Sequence, residues 1–202
     1  MNRFAALFAA LDATTSTSAK TAALADYFRT APEADRVWTV ALLSGRRPRR
    51  AATSTELRQW AAQEAALPDW LFEESYSLVG DLAETISLIL PPASAAQTLG
   101  LSETLSALSR LPGQPVEARR AAILAAWRSL LPAERFLFTK LLTGGFRMGV
   151  SRGLMTRALA QATGAAETAV AQSLMGDWDP ATTRFATLTE APGAQGAQPY
   201  PF

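Results

Sequence analysis

Lys140-Leu-Leu-Thr-Gly-Gly-Phe-Arg-Met-Gly-Val-Ser-Arg-Gly-Leu-Met-Thr-Arg-Ala-Leu159 joins two helical patterns through a glycine-rich turn and carries four cations and no acid. Glycines at 144, 145 and 149 remove side-chain bulk and permit positive φ, while Ser151 can cap a new helix whose free N–H groups favour an anion. A backbone of this kind can approach phosphates closely. The expected ligand is therefore a polyanion.

Helical spacing extends outward from this turn in both directions. Upstream, Pro132 starts a helix that turns Phe136, Leu137, Leu141 and Leu142 inward, and residues 99–111 and 116–131 read as two more. Thr53-Ser-Thr-Glu56 has the form of a capping box. The apolar run from Trp70 to Leu90 reads as one central buried helix closed by Pro91-Pro92. Nearer the N-terminus, Phe4, Leu7, Phe8 and Leu11, then Leu24, Tyr27 and Phe28, then Val37, Trp38, Leu42 and Leu43, mark three further apolar faces. Residues 154–162 and 165–175 give two helices downstream. Alanine and leucine dominate and no sheet is convincing, so the chain is expected to be all-α, a compact domain of about ten to twelve helices over residues 1–178. Residues 179–202 read as a C-terminal extension and linker, because their last part is rich in Pro, Gly, Ala and Gln. The five tryptophans lie in amphipathic runs and are expected in the core.

Composition removes most familiar chemistry. The 202 residues include no cysteine and no histidine, which excludes disulfides, thiol nucleophiles, Cys/His zinc sites and an imidazole base. No leader and no apolar run of membrane-spanning length is visible, so a cytoplasmic location is expected, without a membrane partner. The formal net charge is only +1, but the charges are segregated. Residues 36–55 hold Arg36, Arg46, Arg47, Arg49 and Arg50 without a carboxylate, and residues 135–166 hold Arg135, Lys140, Arg147, Arg152 and Arg157 likewise. Between them, residues 59–109 contain acids and no Lys or Arg. A chain divided in this way can present one basic and one acidic surface.

Ser44-Gly-Arg-Arg-Pro-Arg-Arg50 places four guanidiniums in a turn, either as a solvated loop or as an anion site. The 144–157 segment is open to two readings as well. It could be an ordinary helix corner, but Arg152 would then stand in a first helical turn, where the macrodipole disfavours a cation. A phosphate held there and contacted by Arg147 would reconcile both arginines. Arg157 follows Arg152 by five positions and points to a partly different side. No Gly-Lys-Ser/Thr follows these glycines, so this is not a Walker loop, nor is it a dinucleotide fingerprint. Glu73, Glu74, Asp81 and Glu84 read as capping or solvated groups; no metal site is expected.

The residues resemble the N-terminal DNA-binding domain of bacterial ATP-dependent DNA ligases. The likeness covers nearly the whole chain through Ser44-Gly-Arg-Arg-Pro-Arg-Arg50, Pro68-Asp-Trp-Leu-Phe-Glu-Glu74, Gly80-Asp-Leu-Ala-Glu-Thr-Ile86 and, most specifically, Leu141-Leu-Thr-Gly-Gly-Phe-Arg-Met-Gly-Val150. It implies an all-α fold that grips nicked double-stranded DNA across the minor groove, with little sequence preference, within a ligase serving replication, repair or recombination. The implied DNA-binding set is Arg46, Arg47, Arg49, Arg50, Thr143, Gly144, Gly145, Arg147, Gly149, Ser151, Arg152 and Arg157. Such ligases carry a Lys-x-Asp-Gly nucleophile in a following nucleotidyltransferase domain. The lysines here are Lys20 and Lys140, neither in that setting. The resemblance therefore implies a fragment with no catalytic residue and no cofactor of its own, unable to bind ATP or seal a nick alone. ATP and Mg belong to the implied full-length enzyme, whose nucleotidyltransferase and OB-fold domains are the expected partners of a monomer. Two rivals remain: an all-α protein-interaction module whose arginine loop meets an acidic partner, and a helix-turn-helix regulator reading bases.

Overall fold

In the computed structural model, which describes residues 1–46, 48–93, 99–144, 146 and 148–190, eleven α-helices and one 3-10 turn form and no strand is present among those residues. The helices are α1 (Asn2–Asp12), α2 (Thr17–Thr30), α3 (Glu33–Leu43), α4 (Ser54–Glu64), α5 (Asp69–Val79), α6 (Leu82–Ile89), α7 (Leu101–Ser109), α8 (Val116–Ser129), α9 (Pro132–Thr143), α10 (Arg152–Thr163) and α11 (Glu167–Met175). The expected all-α class is what the chain adopts. No helix among the described residues is long and apolar enough to cross a membrane.

The chain divides into two compact units, each built from two stretches of sequence. One comprises Met1–Ala5 with Arg47–Phe146, the other Ala6–Arg46 with Arg147–Phe202. In the first, α6 lies on α9, and α4 packs against α5, α6 and α8. Leu57, Phe72, Ile86, Leu105, Ile123 and Trp127 are fully buried there. Trp127 also needs a partner for its indole N–H, and Thr139 Oγ1 accepts it at 3.0 Å. At the start of α4 the capping box forms as the sequence suggested: Glu56 N donates to Thr53 Oγ1 at 3.1 Å, and Thr53 N donates to Glu56 Oε2 at 2.7 Å.

The apolar run from Trp70 to Leu90 is not one buried helix. Gly80 sits at φ +79°, a left-handed position that closes α5, and Asp81 caps α6 by accepting from Glu84 N at 3.0 Å. The pair therefore ends one helix and starts the next. With this break, Trp70, Leu78 and Leu88 turn outward, so Trp70 is no core residue.

In the second unit α10 lies along α2 and also meets α3 and α11. Ser16 caps α2, accepting from Ala19 N at 3.3 Å. Residues 179–190 pack into this unit rather than trailing from it. Phe185 stands 6.0 Å from Phe28 between ring centroids, its N–H donates to Glu33 Oε1 at 3.1 Å, and the Arg36 guanidinium lies 5.3 Å from its ring. Residues 191–202 of the expected linker lie outside the described residues.

Candidate nucleic-acid interface

Within the first unit, Arg50 of the arginine loop meets Gly144, the first glycine of the turn. Helix α9 ends at Thr143, whose Oγ1 donates to the Lys140 carbonyl at 3.2 Å, and Gly144 closes it at φ +69°. A Cβ on Gly144 would stand 3.6 Å from Arg50 Nε, so the Arg50 side chain lies against the helix end. The negative end of the α9 dipole favours that guanidinium. The loop itself is tied down just beyond Arg50. Arg119 of α8 donates to the Ala51 carbonyl and, at 2.8 Å, to Glu56 Oε1. This hydrogen bond from Arg119, followed by that from the Thr53 N–H, holds the Glu56 carboxyl below the usual carboxylate range. Arg49 and Arg50 are exposed and pair with no carboxylate among the described residues.

Two cations that the sequence placed in the basic zone are engaged elsewhere in this unit. Arg135 is 1% exposed and donates from Nε to the Trp127 carbonyl at 2.9 Å, from Nη1 to Leu90 at 3.1 Å and from Nη2 to Pro91 at 2.8 Å. It closes the ends of α8 and α6, whose last carbonyls have no partner within their helices. Burial pushes its pKa down. Lys140 is held by Asp81. Burial raises the Asp81 carboxyl, but hydrogen bonds from Lys140 and the Glu84 N–H outweigh it and leave the group below its ordinary value.

The second unit contributes the start of α10. Ser151 caps it, accepting from Leu154 N at 3.2 Å. Gly149, at φ +58°, makes the turn into the cap, and a Cβ there would come within 3.3 Å of Lys20 Nζ. That conformation favours glycine. Lys20, on α2, thus brings its ammonium to the turn, while Arg152 is exposed in the first turn of α10. No acid occupies that first turn. Two cations and a set of free N–H groups at a positive helix end form an arrangement that an anion would stabilise. One turn farther on, Arg157 faces Glu167 at 3.9 Å.

Arg46 turns inward in this second unit. It donates to the Trp178 carbonyl at 2.6 Å and the Gly176 carbonyl at 3.2 Å, and its guanidinium stacks 4.2 Å from the Trp178 ring. Arg47, Gly145 and Arg147, also expected at a DNA contact, lie outside the described residues. Lys20 is the cation that sequence reasoning passed over. Its signal was present: Lys20 precedes the buried Leu24, Tyr27 and Phe28 at helical spacing, so it starts on the inward stripe of α2 and needs a polar neighbour. Among the described residues no group of three or more carboxylates gathers to hold a metal ion.

The DNA ligase N terminus family matches residues 1–160. A DNA ligase B of Mycobacterium tuberculosis is 35% identical over 101 residues, which is 50% of this chain and 20% of that protein. A probable DNA ligase of Mycobacterium bovis is 34% identical over 101 residues with the same coverage. These matches thus span about a fifth of the length of the relatives.

Proposed function

We propose, for a chain that belongs to the DNA ligase N-terminal family, that it clamps nicked duplex DNA through the phosphate backbone and minor groove, with little sequence preference. The observation that carries this reading is the start of α10, where Lys20, Gly149, Ser151 and Arg152 surround a helix N-terminus that has no acid. Contacts of this kind fix position on a duplex without reading its bases. Arg50, beside the end of α9, and the exposed Arg49 supply further phosphate contacts in this proposal. Leu154, Met155 and Leu159 are buried on α10 and unsuited to base readout, which disfavours a major-groove regulator.

In the parent enzyme the clamp would hold both sides of a break while nucleotidyltransferase and OB-fold domains align the reacting ends. ATP and Mg serve those domains. The contribution of this chain is then positioning rather than bond chemistry.

Titration of the 202-residue chain onto a fluorescent nicked duplex at several salt concentrations tests the proposal, with intact duplex, single strand and a second sequence alongside. The expected result is duplex binding indifferent to sequence, with a slope implying roughly four or more released counterions. Absence of binding at low salt would overturn it.

A further inference from the structure

The outer faces of α5 and α6 carry large apolar side chains that neither the core nor the proposed DNA contact uses. Trp70 is 70% exposed, Leu78 89% and Leu88 68%. Trp70, Glu74 and Leu78 follow one another at four-residue steps along α5, and Glu84 and Leu88 do the same on α6. Each helix thus shows an outward stripe in which a large apolar residue neighbours a glutamate. The two helices pack together in the first unit. Single exposed leucines are ordinary on a protein surface, but a tryptophan and two leucines on one helix pair are not.

The charge left unpaired on these two helices has one sign. No Lys or Arg occurs from Gln59 to Ser109. Arg58, just before that stretch, holds Glu73 at 3.1 Å, and Lys140 holds Asp81. Glu74 and Glu84 join no ion pair among the described residues. Nucleic acid and anionic lipid are both repelled by such a surface. A cationic surface with apolar side chains is its complement.

We infer that the α5–α6 face is a docking surface for a protein partner presenting a cationic amphipathic helix, with Lys or Arg flanking a stripe of Leu, Ile or Met. The apolar side chains would supply most of the affinity, as anchors at helical spacing do in helix-groove recognition. Glu74 and Glu84 would set the orientation and speed the encounter.

The test uses the whole chain and a fluorescent helical peptide of about 20 residues with leucines at four-residue steps and flanking lysines. A second peptide replaces the lysines with glutamates. The lysine peptide binds and the glutamate peptide does not. Leu78→Ser with Leu88→Ser weakens binding about tenfold or more, because the lost apolar contacts are central. Glu74→Lys with Glu84→Lys weakens it about fivefold at low salt, and this loss shrinks as salt rises. All four positions are exposed, so the helical circular dichroism of both double variants matches that of the parent. Equal binding of the two peptides, or undiminished binding by both double variants, would overturn the inference. Self-association that Leu78→Ser abolishes, with no peptide binding, would assign the face to a second copy of the chain instead.

Discussion

From Arg135 onward, helix α9 and the start of α10 belong to one acid-free stretch of sequence, yet they use their cations in opposite ways. On α9, Arg135 is buried with its guanidinium on three backbone carbonyls, and Lys140 is held by a carboxylate. At the start of α10, Arg152 is exposed and pairs with no carboxylate among the described residues, and α2 delivers Lys20 to the same turn. A run of positive charge therefore counts cations without saying which are available to a ligand. Register decides that. Arg135 stands three, four and seven residues before the buried Phe138, Thr139 and Leu142, so the core stripe of α9 carries it inward. Once there, it stays only because the ends of α6 and α8 offer carbonyls that need donors.

The strongest way to break this contrast is Arg135→Met. The replacement fills similar space but leaves the Trp127, Leu90 and Pro91 carbonyls without that donor. Unfolding by urea should show a loss of about 3 kcal/mol or more. The fraction that remains folded should bind nicked duplex as the parent does. Normal stability combined with lost DNA binding would place Arg135 among the ligand-facing cations and remove the distinction.

Much of the fold was legible because helix ends carry local chemistry. Thr53 with Glu56, Pro132 and Ser151 mark starts that the structure retains. Gly80-Asp81 was missed because an almost continuous apolar run concealed a stop and a start placed side by side. Reading that dipeptide as a left-handed cap followed by an N-cap would have found the break, and with it the outward turn of Trp70. The site was legible only where it is local. Gly149, Ser151 and Arg152 are neighbours in sequence, whereas Lys20 reaches them through the packing of α2 along α10, which no short motif encodes. Arg46 shows the converse. Its loop motif suggested a free cation, but the ring of Trp178 and two carbonyls engage it.

At the other pole of the comparison, Lys20→Ala and Arg152→Ala should leave stability within about 0.5 kcal/mol of the parent, since neither side chain lies in the core. Each should weaken nicked-duplex binding several-fold at moderate salt and lower the magnitude of the salt slope by about one. The loss should be the same for unrelated DNA sequences, because a phosphate contact carries no base information. A normal slope in either variant would remove that residue from the interface. If both slopes were normal, the start of α10 would be an ordinary helix corner.

Arg157→Ala should give the smallest effect, and it sharpens the boundary between engaged and available cations. The Arg157–Glu167 separation of 3.9 Å is long for an ion pair, and both side chains are more than half exposed. Its loss should change stability by less than about 0.5 kcal/mol. Because Arg157 points to a partly different side from Arg152, its removal should change duplex affinity by less than about twofold and the salt slope by less than one. Glu167→Gln offers the complementary reading, since it frees the guanidinium without removing it. If Arg157 can turn to a phosphate, that variant binds DNA more tightly, and Arg157→Ala loses a full unit of slope. The interface would then extend another turn along α10, and a loose surface pair would count as a reserve of available charge rather than as an engaged one.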